Sequence, residues 1–289
     1  MNAPAAHIDL LPGVSPSVYG AQDFEAVRRL VHDVAGIDLP PSKAMLVYSR
    51  LIPLVRKAGC TTFGAYIERI TNDAHEQSLT ICALTTNHTF FYREQHHFEH
   101  FASQVRPGLI ERLNHNGSAR IWSAGCSSGE ETWSLVMTML GEDRAMGKRL
   151  AQRDLRFLAS DLADHAIQAA QAASYALDAL NPVPEPLRRA WAKEQDGRMV
   201  ISRTAQSIAR FRHLNLLHKW PMSNPFDVIF CRNVMIYFDL PTKERLVARF
   251  AEQLAPGGHL YIGHSERVSG PASEVLQLVG PTIYRKVSA

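Results

Sequence analysis

The feature that most constrains this chain is a change of pattern near Arg120. Before it, apolar residues recur at three- and four-residue spacing. After it, short apolar runs ending in small or polar residues alternate with helical stretches. A strand over 120–124 meets a small-residue turn, 125–129, and a helix over 130–140. A second strand, 155–160, ends at Asp161, and its helix carries Ile167 and the alanines after it. A third, 226–231, ends at Arg232 and Asn233. A helix then follows Pro241, and Pro256-Gly257-Gly258 turns tightly into a strand over 259–263. Residues 276–286 supply two closing antiparallel strands. Strands alternating with helices predict a parallel sheet with helices on both faces, a Rossmann-like α/β domain.

The N-terminal part has no strand signal. Asp23 is placed to cap a helix carrying Phe24, Val27, Leu30, Val31 and Val34, and Gly36 is placed to stop it. A second helix runs from about Ser42, kinked or divided at Pro53. A third starts near Thr61 or Thr62, and a fourth covers about 74–85. The expected organisation is a flexible tail over 1–20, an all-helical domain over 21–86 and an α/β domain over 87–289. Residues 180–214 break the alternation. Asp196-Gly197 is a hairpin turn, and the apolar runs from Met199 and from Ala209 are read with it as a small antiparallel β-subdomain inserted in the α/β domain.

Composition excludes several classes. The chain has 289 residues, 46% hydrophobic and 20% charged, enough for a packed core and about two domains. No apolar run approaches the ~18 residues of a membrane-spanning helix, and the first residues lack a secretion signal. The four cysteines, Cys60, Cys82, Cys126 and Cys231, form no C-x-x-C pair, as expected of free thiols in a reducing cytoplasm. The net charge of +3 is too small to make nucleic acid the default partner. The charge is nevertheless uneven. Lys43, Arg50, Arg56 and Lys57 stand in a stretch with no acid between Asp38 and Glu68. That stretch is either a solvated face or a docking surface for an acidic partner.

In an open α/β sheet, ligands bind beyond the carboxyl ends of the strands. The turn after the first strand has Gly125 and Gly129 but neither G-x-G-x-x-G nor Gly-Lys-Ser/Thr. Glu130 and Glu131 oppose a phosphate there and suit an ammonium group, or they complement the helix dipole. Asp161 is placed either to accept both ribose hydroxyls or to cap the next helix. Asn215 with Leu216, and Arg232 with Asn233, are candidates for adenine's polar edge. A nucleoside pocket without a phosphate subsite favours S-adenosylmethionine over a dinucleotide. His96 and His100 share a helix face, but their order is not H-E-x-x-H and no further ligand is evident, so no metal is expected.

Taken in order, TTNHTFFYRE, RIWSAGCSSGEE, LASD, LNLL, FDVIFCRNVMIYF and APGGHLYIGHSE resemble the CheR-type chemotaxis receptor methyltransferases, protein-glutamate O-methyltransferases, across residues 23–286. The resemblance implies a class I methyltransferase domain, S-adenosylmethionine as donor with S-adenosylhomocysteine as product, and receptor glutamates as acceptors. It implies a cofactor site of Asn87, Thr89, Arg93, Glu130, Asp161, Asn215, Leu216, Arg232 and Asn233, with Arg93 and Tyr237 nearest the transferring methyl. The partners implied are the cytoplasmic helices of chemotaxis receptors, with the basic face as the docking surface. Thr132-Trp133 replaces the family's more usual Pro-Tyr. The hairpin at Asp196-Gly197 lacks the longer Gly-rich loop of members that dock a receptor's C-terminal tether peptide, which argues against such docking. Two alternatives remain: a non-catalytic cofactor-binding sensor or scaffold, and a methyltransferase of another protein acceptor.

Overall fold

The computed structural model describes residues 18–85 and 89–287. Its contacts divide the chain into two units. The first comprises residues up to 86 together with 237–242, and the second comprises 87–236 and 243–289.

The first unit holds helices α1 (Ala21–Ala35), α2 (Ala44–Lys57), α3 (Phe63–Asn72) and α4 (Ala74–Leu84). Gly20, not Asp23, is the N-cap of α1. Asp23 sits one turn in, and its carboxylate accepts the Gly20 amide at 2.8 Å. Either position puts an acid at the helix start, so composition alone does not separate them. Gly36 ends α1 in the left-handed conformation, φ +65°. Pro53 lies within α2, which runs unbroken through it. Thr62 Oγ1 caps α3 through the Ala65 amide at 3.2 Å, and Asp73 Oδ1 caps α4 through His75 and Glu76. The buried faces contribute Phe24, Val27, Val31, Val47, Leu51, Val55, Phe63, Tyr66, Ile70 and Ile81. Each such side chain stabilises the unit by about 1.5–3 kcal/mol.

Two features of this unit depart from the sequence expectation. Tyr19, assigned to the tail, is buried, with its hydroxyl donating to the Ala44 carbonyl at 3.2 Å and its ring 4.5 Å from that of Phe63. Residues 1–17 of that tail lie outside the described residues. Residues 237–242, assigned to the α/β domain, belong with the helices instead. The Asp38 amide donates to the Tyr237 carbonyl at 2.8 Å, Ile37 pairs with Phe238 in an antiparallel bridge, and His32 Nε2 lies 3.2 Å from Asp239 Oδ2. These contacts join residues some 200 positions apart, beyond the reach of any local pattern.

The second unit begins with α5 (His96–His100), a π-turn over Phe101–Val105 and α6 (Arg106–Asn114). There follow β1 (Ser118–Ala124), α7 (Glu130–Leu140), α8 (Arg144–Ala151), β2 (Asp154–Asp161), α9 (Asp164–Ala172), β3 (Ser174–Tyr175), α10 (Glu185–Trp191), β4 (Ala192–Gln195), β5 (Arg198–Ile201), α11 (Arg203–Ser207) and β6 (Ala209–His213). The chain closes with β7 (Phe226–Cys231), α12 (Leu240–Gln253), β8 (Leu254–Ile262), β9 (Leu276–Gly280) and β10 (Ile283–Lys286). The first residues of α12 group with the first unit.

The main sheet has the order β6-β2-β1-β7-β8-β10-β9. It is parallel from β6 to β8 and antiparallel at β10 and β9. The chain winds outward from β1 through β2 to β6, then returns to β7 and β8 on the other side of β1. The topological switch point therefore lies at the carboxyl ends of β1 and β7. Trp133 is buried on α7, donates to the Ala170 carbonyl at 3.2 Å and packs its ring 5.3 Å from Phe211.

The inserted sheet is smaller than expected and starts earlier, with order β3-β5-β4. Asp196 and Gly197 form its turn at φ +50° and +69°, as a type I′ hairpin requires. Residues 209–213 do not belong to it; they add a parallel edge strand to the main sheet along β2. Ala209 and Phe211 point inward while Arg210 and Arg212 point outward. That alternation marks a half-buried strand but does not name its neighbour. β3 is only two residues long, too short for a periodic signal.

Candidate cofactor site

The turn after β1 is built by backbone constraints. The Gly125 and Cys126 amides both donate to the Ser160 carbonyl, at 2.8 and 2.9 Å, joining the ends of β1 and β2. Gly125 takes φ +82°, and a Cβ there would collide with the Val234 side chain. Gly129 takes φ +96°, and its Cβ would lie 2.8 Å from that of Ala170. Both positions are therefore restricted to glycine. Ser127, at φ +49°, is held by its amide, which donates to Asp161 Oδ2 at 2.7 Å.

Asp161 does not cap α9, whose N-cap is Ala163, and Asp164 lies inside the helix. Instead Oδ1 accepts the Ala163 amide at 2.9 Å while Oδ2 holds the glycine turn. Burial pushes its carboxyl above the ordinary range despite hydrogen bonds from Ala163, Ser127 and Leu162. A carboxylate has about four acceptor positions, so three backbone donors leave room for a hydroxyl.

The two acids of α7 diverge. Glu130 is half-buried, and Oε2 accepts from the Ser128 hydroxyl at 2.7 Å. Glu131 turns inward, accepting from the Ser123 hydroxyl at 2.7 Å and pairing with Arg232 at 3.2 Å, and burial pushes its carboxyl up. Beyond β6, the Leu214 amide donates to the Asp161 carbonyl, and Asn215 Oδ1 forms a turn by accepting the Leu217 amide at 2.9 Å. Leu216 is buried, and its carbonyl accepts from Trp220 and Arg249.

At the end of β7, the Arg232 side chain is 2% exposed and directed inward, to Glu94 at 3.3 Å, Glu131 at 3.2 Å and the Arg93 carbonyl. What remains for a ligand at this position is backbone and the neighbouring Asn233, at φ +58°. Glu266 ties this loop to the end of β8, because one carboxylate oxygen accepts the Asn233 amide at 3.2 Å and the Gly263 amide at 2.6 Å. Glu94 and Glu266 were not singled out from the sequence, and Glu131 was read only with Glu130 as an acid facing a ligand. Their signal was present as acids inside the YRE, GEE and HSE segments, but burial is what distinguishes them.

Of the remaining candidates, Arg93 and Thr89 are half-buried in the second unit, Tyr237 lies in the first, and Asn87 is outside the described residues. His96 and His100 turn to other partners, near the Pro281 carbonyl and the Tyr261 hydroxyl at 3.2 and 2.8 Å. Cys126 and Cys231 are buried, and burial raises both thiols well above the ordinary range, which disfavours a nucleophilic cysteine. The switch point thus presents a glycine turn without room for side chains, a spare acceptor on Asp161 and an anion at Glu130. That donor set fits a nucleoside bearing an ammonium group and no phosphate.

Comparison with known proteins gives the same answer. Residues 87–284 match the family described as "CheR methyltransferase, SAM binding domain", and residues 22–85 match "CheR methyltransferase, all-alpha domain". The "Probable chemotaxis protein methyltransferase" of Rhizobium etli is 41% identical over 262 residues, covering 89% of this chain and 96% of that protein. The "Chemotaxis protein methyltransferase 2" of Pseudomonas aeruginosa is 36% identical over 271 residues, covering 92% and 93%. The "Chemotaxis protein methyltransferase" of Escherichia coli is 36% identical over 268 residues, covering 90% and 89%. The chain belongs to the CheR methyltransferase family, and its α/β unit is the S-adenosylmethionine-binding domain of that family.

Proposed function

We propose that the protein methylates glutamate side chains of chemotaxis receptors, yielding glutamate methyl esters and S-adenosylhomocysteine. The observation that carries this reading is the seating of Arg93. Its carbonyl accepts from the buried Arg232 at the end of β7, which supports reading Arg93 as the cation beside the strand ends that carry the glycine turn, Glu130 and Asp161.

S-adenosylmethionine supplies a methyl group on a sulfonium centre. In this reading Asp161 accepts from the ribose, Glu130 faces the ammonium, and Asn215, Leu216 and the 232–233 backbone take the adenine side. Thr89 and Asn87 complete the set by resemblance. A glutamate acceptor with a pKa near ~4.3 is already ionised at neutral pH, so no general base is required. The residues instead have to orient the carboxylate and exclude water. Charge is neutralised in the transition state, so a tight bidentate clamp would overstabilise the ground state. Arg93 therefore engages one carboxylate oxygen and leaves the other free to attack. Tyr237 enters as a hydrogen-bond donor on the strength of the resemblance.

The acidic receptor surface docks on the basic face of α2. Lys43, Arg56 and Lys57 are exposed and suit that role. Arg50 is half-buried and donates to the carbonyls of Ala83, Leu84 and Thr85 at 3.1–3.3 Å, so it closes the end of α4 instead. Among the described residues no helix is long and apolar enough to cross a membrane.

The test is methylation of receptor-containing membranes with tritiated donor. Base-labile label on receptor glutamates, lost in Arg93→Ala, is the expected result. No label on receptors, or label stable to base, would overturn the reading.

A further inference from the structure

Residues 214–225 join β6 to β7 without a helix or strand of their own. Holding such a loop in one shape costs backbone entropy that contacts must offset. At its start the Leu214 amide donates to the Asp161 carbonyl at 2.9 Å, and Asn215 Oδ1 accepts the Leu217 amide. Further along, the contacts come from α12. The half-buried Arg249 guanidinium straddles the loop, with Nη1 donating to the Leu216 carbonyl at 2.6 Å and Nη2 to the His218 carbonyl at 2.5 Å. Its central carbon stands 4.0 Å from the middle of the Trp220 ring. That ring completes the arrangement, because its Nε1 donates to the same Leu216 carbonyl at 3.0 Å. A carbonyl oxygen has two lone pairs, and this one spends both on Arg249 and Trp220.

The indole is itself wedged. It stacks on Phe250, the neighbour of Arg249 on α12, with ring centres 5.2 Å apart and planes 29° apart. It meets the buried Trp122 of β1 edge-on at 4.8 Å. Trp122 Nε1 donates to Ser160 Oγ at 2.9 Å, and the Ser160 carbonyl accepts the Gly125 and Cys126 amides. One chain of contacts thus runs from Arg249 through two tryptophans to the glycine turn. Donating to two carbonyls while lying over an aromatic face suits the planar fork of arginine, and lysine does not reproduce it.

We propose that Arg249, with Trp220, is a positioning residue for the adenine of the methyl donor: it fixes the 214–218 backbone so that the loop offers the base a single pattern of donors and acceptors. This rests on the reading above that sets Asn215 and Leu216 on the adenine side. Adenine presents an acceptor at N1 and an amino donor at C6. Hypoxanthine presents the reverse, an N1–H donor and a C6 carbonyl. A rigid loop tells the two apart, because a mismatched edge leaves polar groups unpaired. A loop free to shift accommodates either.

The test is calorimetric binding of S-adenosylhomocysteine and S-inosylhomocysteine to the full-length protein and to its Arg249→Lys variant. Wild type should prefer the adenine compound by at least about 10-fold. Arg249→Lys should bind S-adenosylhomocysteine about 10-fold more weakly and the inosine compound with little change, so that the preference shrinks toward unity. Unchanged affinities, or a loss equal for both compounds, would leave Arg249 merely structural and overturn the proposal, as would a wild type with no preference for adenine. A wild type that shows the preference but labels no receptor would instead overturn the receptor-methylation reading and leave the role of Arg249 standing. Should Arg249→Lys fail to fold, Trp220→Phe takes its place. It keeps an aromatic ring beside Arg249 and removes the Nε1 donor to Leu216, and the same loss of preference is expected.

Discussion

The Ser127 amide donates to Asp161 Oδ2 at 2.7 Å, so the acid at the end of β2 shapes the glycine turn. Asp161→Asn keeps the size but replaces one acceptor with a donor that opposes a backbone amide. Charge-assisted hydrogen bonds contribute about 1.5–3 kcal/mol, so affinity for S-adenosylhomocysteine should fall by about 10–100-fold. Titration calorimetry measures this directly. Unchanged affinity would confine Asp161 to holding the turn.

Gly129→Ala should be disruptive despite adding one methyl group. Its φ is +96°, and the new carbon would lie 2.8 Å from Ala170 Cβ and 3.0 Å from the Tyr175 hydroxyl. A destabilisation of about 1–3 kcal/mol is expected from strain of this kind, together with weaker cofactor binding. Urea unfolding with and without S-adenosylhomocysteine separates the two effects.

The basic residues of α2 should divide into two classes. Arg56→Glu with Lys57→Glu should raise the receptor KM at low salt, with little effect on cofactor affinity or melting temperature, and added salt should shrink the difference. Arg50→Ala should lower the melting temperature, because it strips the Ala83, Leu84 and Thr85 carbonyls of their donor. A KM unaffected by reversal at Arg56 and Lys57 would leave that face simply solvated.

The His32–Asp239 pair should give the first unit a pH-dependent tie to the segment bearing Tyr237. The Asp239 hydrogen bond raises His32 above its ordinary value. Asp239 is held down to about 2, first by its Thr242 hydrogen bonds and then by His32. His32's contribution is complete below its unfolded pKa, near ~6.5, and disappears as pH rises through the raised folded value. The contribution of Asp239 is complete above ~3.9 and disappears as pH falls through about 2. The pair is partly exposed, so its effect is about 0.2–1 kcal/mol and salt-sensitive. Melting temperature should fall slightly between pH 6 and pH 8 in wild type, and His32→Ala should flatten that slope. An identical slope in the variant would show that the pair contributes nothing.

Much of the candidate site was legible because the sheet places successive strand ends on one edge. Each parallel strand ends in a short polar signature, and a fixed strand order converts Gly125, Glu130, Asp161, Arg232 and Asn233 into neighbours along that edge. What those side chains do there was not legible. Glu130 and Glu131 are adjacent in sequence, yet one accepts from the Ser128 hydroxyl while the other turns inward to pair with Arg232. Arg232 reads as a ligand residue from its position, and its side chain is spent inside the protein.

By itself, then, the sequence determined the local matters: the helices of the first unit, most of the strands, the hairpin at Asp196-Gly197 and the glycine turn, together with the family signature they spell. These depend on periodicity, caps and allowed backbone angles, which act over a few residues. The tertiary structure alone decided that 209–213 joins the main sheet, that 237–242 packs with the helical unit, that Arg232 and Glu266 are buried, and that Glu94 and Glu131 turn in to pair with Arg232. Those outcomes depend on which distant segments share a low-dielectric interior, where an ionised group must find its partner. No local pattern of residues records that choice.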